Sequence, residues 1–126
     1  MDELEKLRKH WEDDDFQRKH ALAREIVVNR LRELNREYEE KTGQGFVRFI
    51  ETRMKTPESI AEKLQRKDYD VDFDTAVTAL NDISGVRCIC YSVKEIYWIA
   101  RQIGKTDTYT VVKAKDYIRK PKKNGY

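Results

Sequence analysis

Between residues 41 and 46 the spacing of apolar residues changes from the helical period of 3.6 to the strand period of 2, and this switch limits the folds open to the chain. Upstream, Val27, Leu31, Leu34 and Tyr38 recur at helical spacing with charges on the opposite face, so residues 18–41 read as an amphipathic helix. Thr42-Gly43-Gln44-Gly45 stops it. Downstream, Phe46, Val47, Phe49 and Ile50 are interleaved with Arg48, Glu51 and Arg53, the pattern of a strand over 46–54. A chain that changes period in this way must pack helices on a sheet.

The remaining segments extend the same reading. Residues 1–16 form a short charged helix with Leu4, Leu7 and Trp11 on one stripe, interrupted by Asp13-Asp14-Asp15. Three adjacent carboxylates splay apart in helical or turn geometry, so they suit a solvated junction better than a cation site. Thr56-Pro57-Glu58 starts a helix running to about Arg66, with a capping hydroxyl, proline in the first turn, an early acid, and Ile60 and Leu64 inward. A helix over 73–81 uses Phe73, Val77 and Leu80. Gly85 to Tyr91 is a nearly continuous apolar run, the signature of a central strand. Residues 93–103 are helical, with Val93, Ile96, Tyr97, Ala100 and Ile103 inward and Gly104 as the cap. Thr108–Lys115 reads as a further strand and 116–126 as a loop. The expected class is α/β (α+β): one domain, with N-terminal helices over 1–45 packed on a core of 46–126.

Charged residues make up 39% of the 126 and mean hydropathy is −0.87, with no apolar run of the roughly 18 residues a transmembrane helix needs. The acidic opening Met1-Asp2-Glu3 does not resemble a signal peptide, so a cytoplasmic setting is expected. Net charge is a mild +3, but after Asp107 the one acid is Asp116 against six lysines and arginines. Cys88 and Cys90 share a strand face, where a disulfide between them would be strained; they read as small hydrophobes.

Three segments carry candidate chemistry. Arg53 and Lys55 lie two apart on a strand, and Ser59 and Lys63 lie one turn apart on the following helix, whose N-terminus adds free N–H groups. Three cations and a hydroxyl in eleven residues suit a polyphosphate; the plain alternative is a charged strand end and helix face. Asp82-Ile-Ser-Gly-Val-Arg87 places an acid at the start of a strand, where it can hold Mg²⁺ between phosphate oxygens. It also places Arg87 inside an apolar strand, where a charge needs a carboxylate, a phosphate or an aromatic face. Lys115 to Tyr126 interleaves basic residues with Tyr117 and Tyr126, which suits phosphates and a stacked base; Asn124 adds a donor and an acceptor.

In order and spacing the three segments resemble the synthetase domain of the RelA/SpoT family, the (p)ppGpp synthetases, above all its small stand-alone members. The carrying residues are Arg53-x-Lys55-x-x-x-Ser59-x-x-x-Lys63, Asp82-Ile-Ser-Gly-Val-Arg87 and Lys115-Asp-Tyr-Ile-x-x-Pro-Lys122-x-Asn124-Gly-Tyr126. The resemblance implies a nucleotidyltransferase-like fold with a mixed sheet, and transfer of the β,γ-pyrophosphate of ATP to the 3′-hydroxyl of GTP or GDP. It implies that Arg53, Lys55, Ser59, Lys63 and Arg87 hold ATP, the arginines sandwiching the adenine. Asp82 would bind Mg²⁺, and Asp82, Arg87 and Lys63 would be catalytic. Lys115, Lys122, Asn124 and Tyr126 would serve the guanine nucleotide, Tyr126 by stacking. Small synthetases of this kind associate, often as tetramers, so a homo-oligomer is implied.

The family continues beyond this tyrosine to a Glu-x-Gln-x-Arg-Thr-like strand whose glutamate is the expected second metal ligand and base. The sequence stops at Tyr126, so the expectation is an incomplete chain of weak or no activity. The hydrolase His-Asp pair is missing, so alarmone hydrolysis is not expected. Two other classes compete: a basic module gripping RNA through Lys113–Lys123 with Tyr109, Tyr117 and Tyr126, and a helical interaction protein built on 18–41.

Overall fold

The computed structural model describes residues 2–126. Two helices come first, α1 (Glu3–Trp11) and α2 (Asp14–Thr42), then strand β1 (Val47–Met54), helices α3 (Pro57–Arg66) and α4 (Phe73–Ala79), strand β2 (Ser84–Cys90) and helix α5 (Val93–Ile103). The start of each helix has a local cause. Asp2, Asp13, Thr56 and Asp72 each accept a backbone N–H from the first turn of the helix they precede. Asp13 thus caps α2 and Asp15 pairs with Arg18 and Lys19, so the acidic triplet is a helix junction.

The period switch has a single side chain at its centre. Gly43 takes the left-handed conformation that closes α2, at φ 86°. Asn35, on α2, then accepts the N–H groups of both Phe46 and Val47 through one Oδ1, at 2.8 and 3.0 Å. A Cβ on Gly45 would lie 2.7 Å from that oxygen, so glycine is needed for the strand to start against the helix.

The sheet is β1 against β2, antiparallel, with Arg53 opposite Gly85 and Glu51 opposite Arg87. A bulge between Val47 and Phe49 shifts the register at the far end. Helices flank a sheet, as expected, but three particulars differ. The pairing is antiparallel rather than mixed, because among the described residues 108–115 form no strand and nothing pairs with them. β2 is not central among the described residues, where β1 is its single neighbour. And α5 is turned: Glu95 is buried while Val93, Ile96 and Ala100 are exposed. The cause is a capping box, in which the Glu95 carboxylate takes the N–H groups of Tyr91 and Ser92 and so draws that face inward. Helix α4 also stops early, at Ala79, and its Val77 side chain faces solvent while Ala76 and Leu80 are buried.

Two apolar clusters result. One joins Leu7 and Trp11 of α1 to Ile60, Ala61 and Leu64 of α3, Ala76, Leu80 and Ile83. The other is aromatic: Phe46 meets Tyr38 edge-on at 5.7 Å, and Trp98 lies 5.9 Å from Phe46 and 5.0 Å from Tyr38. The first cluster lies beneath the end of the sheet where Lys55 and Asp82 stand.

Candidate functional site

Lys55 directly follows β1 and prolongs the ladder by one rung, its N–H donating to Ile83 O at 2.8 Å. Its own carbonyl accepts the indole N–H of Trp11 at 2.8 Å. The backbone of Lys55 is therefore tied on one side to the loop carrying Asp82 and on the other to α1. Helix α1 is fastened to α3 again by Arg8, whose guanidinium meets Glu58 at 2.6 Å.

From this frame Lys55 and, from the second turn of α3, Lys63 reach one oxygen of Asp82. The Nζ···Oδ2 distances are 2.8 and 2.6 Å. The lysine side chains are 14% and 20% exposed and that of Asp82 is 47% exposed. Burial alone would raise the Asp82 pKa; the hydrogen bonds and charges of Lys55 and Lys63 outweigh it and bring it down to about 2. Asp82 is thus a carboxylate at any ordinary pH. Ser59, one turn before Lys63, is exposed, and its backbone N–H is taken by the Thr56 cap.

The arginines stand apart from this triangle on the solvent face of the sheet. Register puts Arg53 opposite Gly85, and Arg87 two residues along β2, with no side chain at Gly85 between them. They line a groove of about 400 Å³ with Glu51, Thr52, Val86 and Tyr126. Arg87 is exposed rather than buried, so its charge needs no partner inside the fold; its nearest acid is Glu51 across the strands at 3.5 Å.

The C-terminal residues form a second group. Lys115, Tyr117 and Tyr126 line a mainly apolar groove of about 620 Å³ against Ile96, Tyr97 and Ala100 of α5. The Tyr97 hydroxyl donates to Asp116 at 2.8 Å and fastens the segment there. Lys122 lies over the rings of Tyr117 and Tyr126, 4.9 and 5.6 Å from their centroids. Asn124 turns its Oδ1 to the N–H of Tyr126, so that acceptor is used within the turn. Tyr126 borders both grooves.

Sequence reasoning grouped Arg53, Lys55, Ser59 and Lys63 and set Asp82 beside Arg87. The structure regroups them, placing Lys55, Lys63 and Asp82 in one contact and Arg53 and Arg87 on one sheet face. It also adds residues that were missed. Trp11 fixes Lys55 through an indole N–H that its place on an apolar stripe does not foretell. His20 and Arg24 of α2 bond the Ser84 hydroxyl at 2.7 and 3.0 Å, holding the start of β2 two residues from Asp82.

Asp82 can take a hard cation. Neither lysine bonds its Oδ1, and among the described residues no group of three or more His, Cys, Asp and Glu side chains assembles a full protein cage. A single ionised carboxylate fits Mg²⁺, which keeps several waters and shares its sphere with substrate phosphates. Cys88 and Cys90 are free thiols on the other sheet face; burial, with the neighbouring Cys88, pushes the Cys90 thiol up to about 12. No helix is long and apolar enough to cross a membrane, among the described residues.

Known proteins are similar to this chain in sequence and in fold. The profile of the region found in RelA / SpoT proteins matches residues 52–126. GTP pyrophosphokinase YwaC of Bacillus subtilis (strain 168) is 31% identical over 126 residues, all of this chain and 59% of its own length. The crystal structure of small alarmone synthetase 1 from Bacillus subtilis bound to its product pppGpp matches with a TM-score of 0.78 at 29% identity, over 94% of this chain and 59% of that one. The same synthetase bound to AMPCPP matches with a TM-score of 0.71 at 28% identity, over 87% of this chain and 56% of that one. The chain therefore spans a little over half the length of these relatives.

Proposed function

The chain belongs to the RelA/SpoT family, and from that premise we propose that it carries the ATP side of a GTP pyrophosphokinase making (p)ppGpp. The observation that carries this reading is the convergence of the Lys55 and Lys63 ammonium groups on one point at 2.8 and 2.6 Å, a two-cation nest of phosphate size.

In the proposed reaction the 3′-hydroxyl of GTP or GDP attacks the β-phosphorus of ATP. A new 3′-O–P bond forms, the bond between the α,β-bridging oxygen and the β-phosphorus breaks, AMP leaves, and the hydroxyl proton is lost. Charge spreads over phosphoryl oxygens throughout, so the protein's work is positioning and cationic stabilisation. Lys55 and Lys63 grip the transferred phosphates, with the Ser59 hydroxyl one turn away. Arg53, opposite Gly85, and Arg87, two residues along β2, offer planar cations on one sheet face, and the base would lie between them. Asp82 is the ligand for Mg²⁺, which when bound draws phosphate charge together. Lys115, Lys122, Asn124 and Tyr126 form the guanine-nucleotide side, with Tyr126 stacking on the base; that it borders the arginine groove supports a short path between the nucleotides. Two nucleotide substrates suit the cytoplasm, and self-association belongs to the same proposal, testable by light scattering.

RNA binding is the weaker reading. It leaves the Lys55–Asp82–Lys63 triangle without a task.

Calorimetric titration of the chain with AMPCPP and Mg²⁺, beside Arg53→Ala, tests the proposal. Saturable binding that Arg53→Ala weakens at least about tenfold is expected. A folded chain that ignores AMPCPP would end this reading.

A further inference from the structure

Two ammonium groups on one carboxylate oxygen leave the site with a charge to explain. Lys55 and Lys63 are largely buried, their single ion-pair partner among the described residues is Asp82, and both meet Oδ2 rather than one oxygen each. Without that oxygen, two half-dry cations would face each other at short range and repel. With it they are held where a phosphate oxygen would want them.

We infer that Asp82 is a built-in occupant of the phosphate subsite: its carboxylate stands where a donor phosphate oxygen would go, keeps both lysines in place, and competes with polyphosphate for them. The inference rests on the reading of this cluster as a phosphate subsite, and goes beyond it by giving the metal ligand a second, opposing task.

The charge sum gives the direction. Two lysines and one aspartate carry +1 together, against +2 for the lysines alone. An incoming polyphosphate must displace the carboxylate and then sit beside it, anion against anion. Asp82 lets go of the lysines at least cost when another cation takes over its charge. Divalent cation and polyphosphate are therefore bound with positive coupling, and Asp82 is the link between them. Linkage makes the coupling reciprocal: polyphosphate on the lysines improves the carboxylate as a cation ligand. The arginine groove has no such device, because Glu51 stands off from Arg87 at 3.5 Å in an exposed cross-strand pair.

The counter-intuitive consequence is that removing the metal ligand should improve phosphate binding when metal is absent. Tripolyphosphate is the probe, since it has no base for the arginines to grip. In EDTA-containing buffer, Asp82→Asn should bind tripolyphosphate about tenfold more tightly than the unaltered chain, the size of one charge-assisted hydrogen bond regained. Added Mg²⁺ should tighten binding to the unaltered chain and leave the variant nearly unmoved. Equal or weaker binding by Asp82→Asn in EDTA overturns the inference.

Should the variant melt early through repulsion between its lysines, the melting temperature is itself the readout. Tripolyphosphate without metal should raise it by more than it raises that of the unaltered chain, because ligand binding to the folded state is the missing counter-charge. A smaller rise overturns the inference. AMPCPP titrated in parallel separates the two readings. Chains that bind tripolyphosphate in this pattern but ignore AMPCPP would end the ATP proposal and leave Asp82's competition standing. AMPCPP binding without the EDTA effect would do the reverse.

Discussion

The two halves of the candidate site are built differently. The side that holds Lys55, Lys63 and Asp82 rests on the cluster of Leu7, Trp11, Ile60, Leu64 and Ile83, with its backbone tied to α1 and to the Asp82 loop. The side that holds Lys115, Lys122, Asn124 and Tyr126 follows α5 without a helix or strand of its own, and nearly all of its residues are exposed. Its ties are few: Tyr97 to Asp116, and the turn from Lys122 to Tyr126. One half is made rigid by burial before any ligand arrives. The other depends on what stacks against it.

The largest test of that contrast is Trp11→Ala. Emptying a nearly buried indole should cost about 3–5 kcal/mol in urea unfolding, and should weaken AMPCPP and tripolyphosphate binding in what remains folded. If Trp11→Ala left stability unchanged, the first half would not be core-built at all. Next is Lys63→Met, which keeps the apolar stem on α3. A lost charge-assisted contact of about 1.5–3 kcal/mol should weaken AMPCPP binding roughly ten- to hundredfold with a small change in melting. An intact affinity would move the phosphate site elsewhere.

Tyr126→Ala probes the other half. Stacking on a base is worth about 1–3 kcal/mol, so guanine-nucleotide affinity should fall while stability stays within about 0.5 kcal/mol. A marked loss of stability would show this half to be as deeply built as the first and erase the contrast. The smallest effect is acid sensitivity. Asp82 has its folded pKa lowered from 3.8 to about 2, so its contribution is complete above about pH 4 and is lost as pH falls toward 2. For a carboxylate that is half exposed this amounts to about 1 kcal/mol. Asp82→Asn should flatten that part of the stability–pH curve; an unaltered curve would detach Asp82 from the lysines.

The same contrast governs how much of the molecule could be read from its residues. The helix start at Thr56-Pro57, the stop at Gly43 and the strand, read as 46–54 and found at 47–54, follow from short-range chemistry, and they were legible. So were all members of the Lys55–Asp82–Lys63 triangle, as residue types. Their contact was not, because Lys63 and Asp82 are 19 residues apart and no local pattern specifies which acid meets which lysine. The segment 108–115 has the β-branched residues of a strand, but strand propensity is realised against a partner, and among the described residues none is offered. The face of α5 was misread for a different reason. Apolar spacing pointed Val93, Ile96 and Ala100 inward, whereas the Glu95 capping box claimed that side of the helix for a carboxylate.

The bond from Trp11 to the Lys55 carbonyl spans 44 residues, and Arg8 to Glu58 spans 50. Both join the first helix to a site made from later parts of the chain. Closing a loop of that length costs entropy before any contact repays it. Helix α1 precedes both segments that these bonds reach, so they close only once Lys55 and Glu58 are in place. The frame of the phosphate nest is therefore completed by an earlier segment of the chain returning to a later one. Refolding followed by Trp11 fluorescence should report that closure as a late step, and it should coincide with the recovery of tripolyphosphate binding.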